Sequence, residues 1–294
     1  MPFCDGEFTK KTDETGKVFI VTGGNAGIGK ETVLEIAKRG GTVIMACRNI
    51  EKANQAREEI VSATNNPNVC VRKLDLGSMD SIRQFAEGFK KEKDNLHVLI
   101  NNAGVMGLPR TLTKDGFEMQ MGINHMGHFL LTHLLLDVLK KTAPSRIVNV
   151  SSVSHERGTI KMDDLNSEKS YSRFGAYEQS KLANVLFTRE LAKRLEGTGV
   201  TVNALHPGAV DTDIVDSLPS AMKFIAKPAM WMFFKTPKSG AQTSLYAALD
   251  PELEKVTGKY FCDCKPKEVS SAAKDEKTAK FLWTESQKWT GVKE

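Results

Sequence analysis

Tyr177 and Lys181 stand four residues apart in a stretch with helical spacing, which places both side chains on one helix face within a turn of each other. A free phenol, with a pKa of about 10, trades protons poorly at neutral pH, and a neighbouring ammonium stabilises the phenolate and draws that value down. The same spacing also describes an exposed i,i+4 pair, so the chemistry needs company. Ser151-Ser152 supplies it. The pair ends a β-branched run from Arg146 to Ser151, and a hydroxyl at a strand C-terminus can face the Tyr177 helix and hydrogen-bond a substrate oxygen. Taken alone, Ser-Ser is equally a turn.

A second constellation lies near the N-terminus. Thr22-Gly23-Gly24-Asn25-Ala26-Gly27-Ile28-Gly29 follows a strand from Val18 to Thr22 and opens a helix. Glycines there let the backbone turn sharply and approach a pyrophosphate, whose charge meets the positive end of the helix. The spacing is GxxxGxG rather than GxGxxG, and a glycine cluster can also be only a tight turn. A fold that selects NAD places Asp or Glu after the second strand, to hold the ribose 2′-hydroxyl. Here the stretch reads Ala46-Cys47-Arg48-Asn49, with no carboxylate. The Arg48 guanidinium can pair with a 2′-phosphate, which predicts NADP(H); otherwise Arg48 is a surface residue at a strand end.

These groups need a scaffold, and the rest of the chain describes one. Short apolar runs alternate with helical patterns from Lys17 onward: strands at 42–46, 69–74, 97–100, 146–151, 200–205 and 259–262 join the first, with helices at 50–62, 78–90, 119–139 and 174–195 among those between. This predicts an α/β, doubly wound Rossmann fold whose mostly parallel seven-stranded sheet carries helices on both faces. Residues 17–263 form the catalytic domain, 1–16 a polar N-terminal tail, and 264–294 a surface appendage with a short helix at 278–288.

Composition narrows the function classes. At 40% hydrophobic residues the 294-residue chain has ample material for a core, which excludes disorder. The net charge of +5 is spread without a basic block, so no nucleic-acid partner is expected. Five scattered cysteines favour a reducing compartment, and Cys262-x-Cys264 lacks the His or second Cys pair a zinc site needs, so no metal is expected. Neither a signal peptide nor an 18-residue apolar run occurs, predicting a cytoplasmic protein or one held peripherally on an intracellular membrane.

The set Thr22 to Gly29, Asp75-Leu76, Asn101-Asn102-Ala103-Gly104, Asn124, Ser152, Tyr177xxxLys181 and Pro207-Gly208 resembles the classical short-chain dehydrogenase/reductase family, in order and over roughly residues 17 to 263. The resemblance implies that Thr22, Gly23, Asn25, Gly27, Ile28, Gly29, Arg48, Asp75, Leu76, Asn102, Ala103, Gly104, Tyr177, Lys181, Pro207, Gly208, Val210 and Thr212 hold the cofactor. It places Asp75 by the adenine, and Asn101 to Gly104 beside the nicotinamide ribose. It further implies that Tyr177 transfers the proton, that Ser152 orients the substrate oxygen and that Lys181 binds the ribose and lowers the tyrosine pKa. Asn124 would hold a water in the proton relay. His125, His128, His133, His155 and His206 are not needed as bases and are read as structural.

Longer strings, among them Ala46-Cys47-Arg48, Asn124-His125-Met126-Gly127-His128-Phe129 and Ser180-Lys181-Leu182-Ala183-Asn184, resemble the retinol dehydrogenase branch. That implies interconversion of retinol and retinal, or a similar lipophilic alcohol and carbonyl, with NADP(H). Two departures are the absence of the N-terminal membrane anchor many relatives carry, and Gly24 where alanine is usual. The Met-rich segment 213–237 reads as a substrate lid, as core packing, or as a membrane-resting patch with Lys223, Lys227 and Lys235. Alternatives to a retinoid enzyme are a broad xenobiotic or steroid carbonyl reductase and a non-catalytic NADP-binding sensor or scaffold. The two long apolar helices allow a homodimer or tetramer.

Overall fold

The structure, a computed structural model, describes residues 6–208 and 236–293. Its centre is a sheet whose first five strands are β1 (Val18–Thr22), β2 (Thr42–Cys47), β3 (Val69–Lys73), β4 (Val98–Asn101) and β5 (Ser145–Val150). β6 (Val200–His206), β7 (Tyr260–Cys262) and β8 (Lys265–Pro266) complete it, in the order β3-β2-β1-β4-β5-β6-β7-β8. The first seven strands are parallel, and every residue of β1 and β4 is buried, as helices on both faces require. Strand order reverses between β1 and β4, and the crevice outside the carboxyl ends at such a reversal is where doubly wound sheets bind ligands.

The sheet has eight strands where the sequence suggests seven. β8 is antiparallel to β7 across the two-residue turn Asp263-Cys264, whose φ values of 54° and 56° match the doubly left-handed hairpin turn. The Cys262-x-Cys264 pair therefore straddles a hairpin tip.

One face carries α1 (Gly27–Lys38), α2 (Ile50–Thr64) and α7 (Pro237–Leu249), a helix the sequence reading did not anticipate. Thr236 caps α7 by accepting from Ser239 N at 3.2 Å, and Pro237 sits in the first turn, where its missing N–H costs nothing. The other face carries α3 (Met79–Glu92), α5 (His128–Lys141) and α6 (Arg173–Arg194). The helix expected at 119–139 is not uniform: a short α4 (Met119–Met121) passes through a π-helical turn, Gly122–Gly127, before α5 begins.

Neither terminal segment stands away from the core. Phe8 is buried with its N–H donating to Gln242 Oε1, and Lys10 pairs with Asp250. After β8 come α8 (Ser271–Lys274) and α9 (Glu276–Thr290). Trp283 of α9 meets Phe129 of α5 edge-on at 5.1 Å and stacks on Phe187 of α6 at 6.1 Å, with the Arg194 guanidinium 4.2 Å from its ring. The chain itself thus covers this part of both long helices. Among the described residues, no helix is long and apolar enough to cross a membrane.

Candidate active site

The carboxyl ends of β1, β4, β5 and β6 open onto a cleft of about 450 Å³. At one end lies the glycine-rich turn. Gly23 and Gly27 have φ of +66° and +52°, and a Cβ on Gly29 would stand 2.3 Å from the Gly23 carbonyl oxygen, so bulkier residues do not fit this close approach. Ala26 at the N-cap of α1 offers no side-chain acceptor, which leaves the first N–H groups of the helix to an outside anion. Gly24 is matched to the packing beneath: an alanine methyl there would come within 3.0 Å of Val33 Cγ2.

Gly23, Asn25, Gly27, Ile28, Gly29, Asn102, Ala103 and Gly104 all line this cleft. Thr22 lies buried just below, accepting N–H bonds from Asn102 at 2.9 Å and Ala103 at 3.0 Å on its Oγ1, while Asn102 Nδ2 donates to the Thr22 carbonyl at 2.8 Å. Asn101 points the other way, donating to Thr132 and Asn149, and so ties β4 to its neighbours. Arg48 is exposed at the rim, and among the described residues no carboxylate pairs with it. Asn49 and Lys52, at the start of α2, stand with it, and Lys52 escaped the sequence reading because a lysine on a charged helix looks like a solvated face. Asp75 and Leu76 line the same end, with Asp75 Oδ1 accepting from Gly77 N at 3.0 Å.

At the other end the structure brings Tyr177, Lys181 and Pro207 into the same lining. Lys181 Nζ lies 5.6 Å from the Tyr177 ring centroid and donates to the Val150 carbonyl at 3.1 Å. Burial pushes the Lys181 ammonium down to about 8. It also pushes Tyr177 above its ordinary value, and a hydrogen bond with the Ser152 side chain works the other way. The expected fall of the tyrosine through Lys181 is therefore not what this structure shows: a phenolate in so enclosed a place costs more than the neighbourhood returns.

The two serines divide the labour. Ser151 Oγ donates to the Lys181 carbonyl at 2.7 Å and anchors α6, whereas Ser152 reaches Tyr177 and caps a 3-10 turn, Val153–Arg157. Asn124 sits in the π-helical turn, its Nδ2 donating to Val105 O and Ser180 Oγ and its Oδ1 accepting from Val105 N. A Cβ on Gly104 would lie 3.3 Å from Asn124 Oδ1 and 3.4 Å from Lys181 Nζ, so both side chains face one spot. Gly208 follows Pro207 with φ of 96°; Val210, Thr212 and the lid at 213–237, apart from its last two residues, lie outside the described residues.

The histidines are buried or held. His125 shares a 2.9 Å hydrogen bond with Ser286 Oγ, and burial pushes it down to about 3. His155 Nδ1 donates to the Ser152 carbonyl at 2.7 Å and steadies that turn. His133 Nε2 donates to the Lys293 carbonyl, and His206 ends β6 just before Pro207. A larger open depression, about 640 Å³ around Gly197, Val200 and Gly258, lies at the amino end of β6 and contains none of the constellation.

Comparison with known proteins identifies the family. Residues 17–223 match the family model for short chain dehydrogenases. Human retinol dehydrogenase 12 is 53% identical over 99% of this chain and 92% of its own length, and mouse retinol dehydrogenase 13 is 51% identical over 98% and 87%. The crystal structure of an uncharacterised protein from Mycobacterium paratuberculosis superposes with a TM-score of 0.80 at 36% identity, covering 98% of each chain. The chain belongs to the short-chain dehydrogenase/reductase family, in its retinol dehydrogenase-like branch, and is an oxidoreductase acting on CH–OH donors with a nicotinamide dinucleotide.

Proposed function

We propose that this enzyme interconverts a lipophilic alcohol and its carbonyl, retinol and retinal first among them, using NADP(H). The observation that carries the reading is one cleft with Arg48 and Lys52 at its ribose-phosphate end and Tyr177, Lys181 and the adjoining Ser152 at the other. A bound dinucleotide supplies or accepts the hydride. Its pyrophosphate would rest on Gly23 to Gly29, its adenosine between Arg48 and Asp75, and its nicotinamide ribose near Asn102 to Gly104 and Lys181.

The chain's own residues do the rest. Tyr177 gives its proton to the substrate oxygen during reduction and removes it during oxidation. Ser152 holds that oxygen in line, and Lys181, brought down to about 8 by burial, passes protons on beside Asn124. Burial holds the phenol in its protonated form, ready to give that proton to a carbonyl oxygen. Residues 17–263 act as the catalytic domain.

The purified protein, incubated with NADPH or NADH and a panel of all-trans-retinal, short aliphatic aldehydes and steroid ketones, tests this. Retinal turnover with NADPH at least ten times that with NADH is expected. Preference for NADH, or turnover of short aldehydes alone, refutes the cofactor or the substrate assignment respectively.

A further inference from the structure

His128 connects the cofactor side of the cleft to the proton-transfer side. It opens α5 directly after the π-helical turn and is 2% exposed. Its Nδ1 lies 3.1 Å from the Asn124 carbonyl oxygen, and its Nε2 lies 2.9 Å from Thr22 Oγ1. A carbonyl oxygen only accepts, so Nδ1 carries the proton. Nε2 is then an acceptor, and the Thr22 hydroxyl donates to it. That hydroxyl in turn accepts the N–H groups of Asn102 and Ala103. Donors therefore run in one direction, from the Asn102-Ala103 backbone through Thr22 and His128 to Asn124, and hydrogen bonds in such a chain polarise one another.

The ring also takes a backbone carbonyl of the irregular helix. In a regular α-helix the Asn124 carbonyl accepts the backbone N–H four residues on, which is that of His128 itself. Here that N–H goes to the His125 carbonyl, and the imidazole takes its place on Asn124. A side chain inserted into the i→i−4 ladder locally interrupts a helix. Burial, opposed by the Asn124 bond and assisted by the Lys181 charge, pushes the ring down to about 4, so this tautomer persists at neutral pH.

We propose that His128 is a positioning residue for catalysis: bridging Thr22 and Asn124, it sets the cofactor-side backbone of Asn102 and Ala103 against the turn that presents Asn124 beside Lys181. The proposal rests on the assignment of Tyr177, Lys181 and Asn124 to proton transfer. His128→Phe keeps a ring and loses both bonds. His128→Asn places an amide N–H where Nδ1 stands and keeps the bond to Asn124, while His128→Gln reaches toward Thr22 instead.

At saturating substrate and cofactor, His128→Phe is expected to lower kcat at least tenfold and to shift the midpoint of the pH profile of alcohol oxidation. NADPH affinity, read by fluorescence titration, stays within threefold. His128→Asn, which restores one of the two bonds, should recover kcat severalfold over His128→Phe, with the parent's pH profile. The proposal is overturned if a folded His128→Phe variant keeps both kcat and profile, or if the Asn and Phe variants lose kcat equally with unshifted profiles. Should the Phe variant fail to fold, His128→Asn must still exceed His128→Gln severalfold in kcat, and equality overturns the proposal. Tyr177→Phe run in parallel separates the two readings: activity in that variant defeats the site assignment, whereas an inactive Tyr177→Phe beside a fully active His128→Phe defeats only the role of His128.

Discussion

Replacing Lys181 by methionine should abolish turnover and yet make the protein more stable at pH 7. Burial lowers the Lys181 pKa from 10.5 to about 8. At about 1.4 kcal/mol per tenfold change, holding the ammonium charged costs the folded state about 3 kcal/mol. Methionine has similar length and no charge to desolvate, and the Val150 carbonyl that Lys181 occupies keeps a second donor in Asn184 Nδ2 at 3.3 Å. With an unfolding entropy of about 2.1 cal/mol/K per residue, the 294 residues give about 0.6 kcal/mol per degree, so Tm should rise by about 5 °C. The sign with pH follows from linkage. The folded pKa lies below the unfolded one, so the unfolded chain binds more protons between about pH 8 and 10.5, and the parent gains stability as pH rises through that window. The advantage of Lys181→Met should therefore shrink to about 1 kcal/mol by about pH 9.5. Calorimetric melting of both proteins without added dinucleotide at pH 7, 8.5 and 9.5 reads this directly. A gap that stays constant with pH, or a variant less stable than the parent at pH 7, refutes the claim that the ammonium is held at a desolvation cost.

Other consequences follow from the same geometry. Tyr177→Phe should reduce turnover by about 10²–10⁴-fold, the usual contribution of a positioned acid or base, with NADPH affinity nearly intact; measurable single-turnover chemistry at the parent rate removes Tyr177 from the mechanism. Arg48→Ala should weaken NADPH by about tenfold, the low end for a charged hydrogen bond because Arg48 is exposed, and leave NADH within twofold. Lys52→Ala should do the same more weakly, and an unchanged ratio of the two dissociation constants in both variants argues against a 2′-phosphate seat at this rim. Since burial raises Tyr177, alcohol oxidation should climb with pH through the neutral and mildly alkaline range, and a profile flat from pH 7 to 9 contradicts that. Trp283→Ala should cost about 3–5 kcal/mol, the usual penalty for truncating a buried aromatic, and a loss below 1 kcal/mol in chemical denaturation would show that α9 is only loosely docked.

Much of the scaffold was legible in the sequence because buried parallel strands announce themselves. β1 is where its apolar run predicts it, and the ends of β2 through β6 fall within a residue of expectation. The helix Pro237–Leu249 was not legible, because Gly240 to Leu245 are all buried and a helix enclosed on most sides shows no 3.6-residue apolar stripe. Nor was β8, two residues long and exposed, or the π-helical turn, since nothing in Gly122–Gly127 distinguishes an i→i+5 ladder from an i→i+4 one. The docking of the terminal segments is hidden for a related reason: their charged residues outnumber Phe8, Leu282 and Trp283, yet those few apolar side chains decide where the segments dock.

Sequence by itself determined the inventory of the candidate site and its order: the glycine turn, Arg48 without a neighbouring carboxylate, the serine pair, and Tyr177 one helical turn from Lys181. Such relations are set by local geometry, by the rise of a helix and the end of a strand, so spacing along the chain is enough to read them. Tertiary structure decided which serine faces the phenol, that Lys52 joins Arg48, that His128 joins Thr22 to Asn124, and which way the tyrosine and lysine pKa values move. Those depend on distances between residues far apart in the chain and on how much water burial removes, and neither quantity is written in any single stretch of residues.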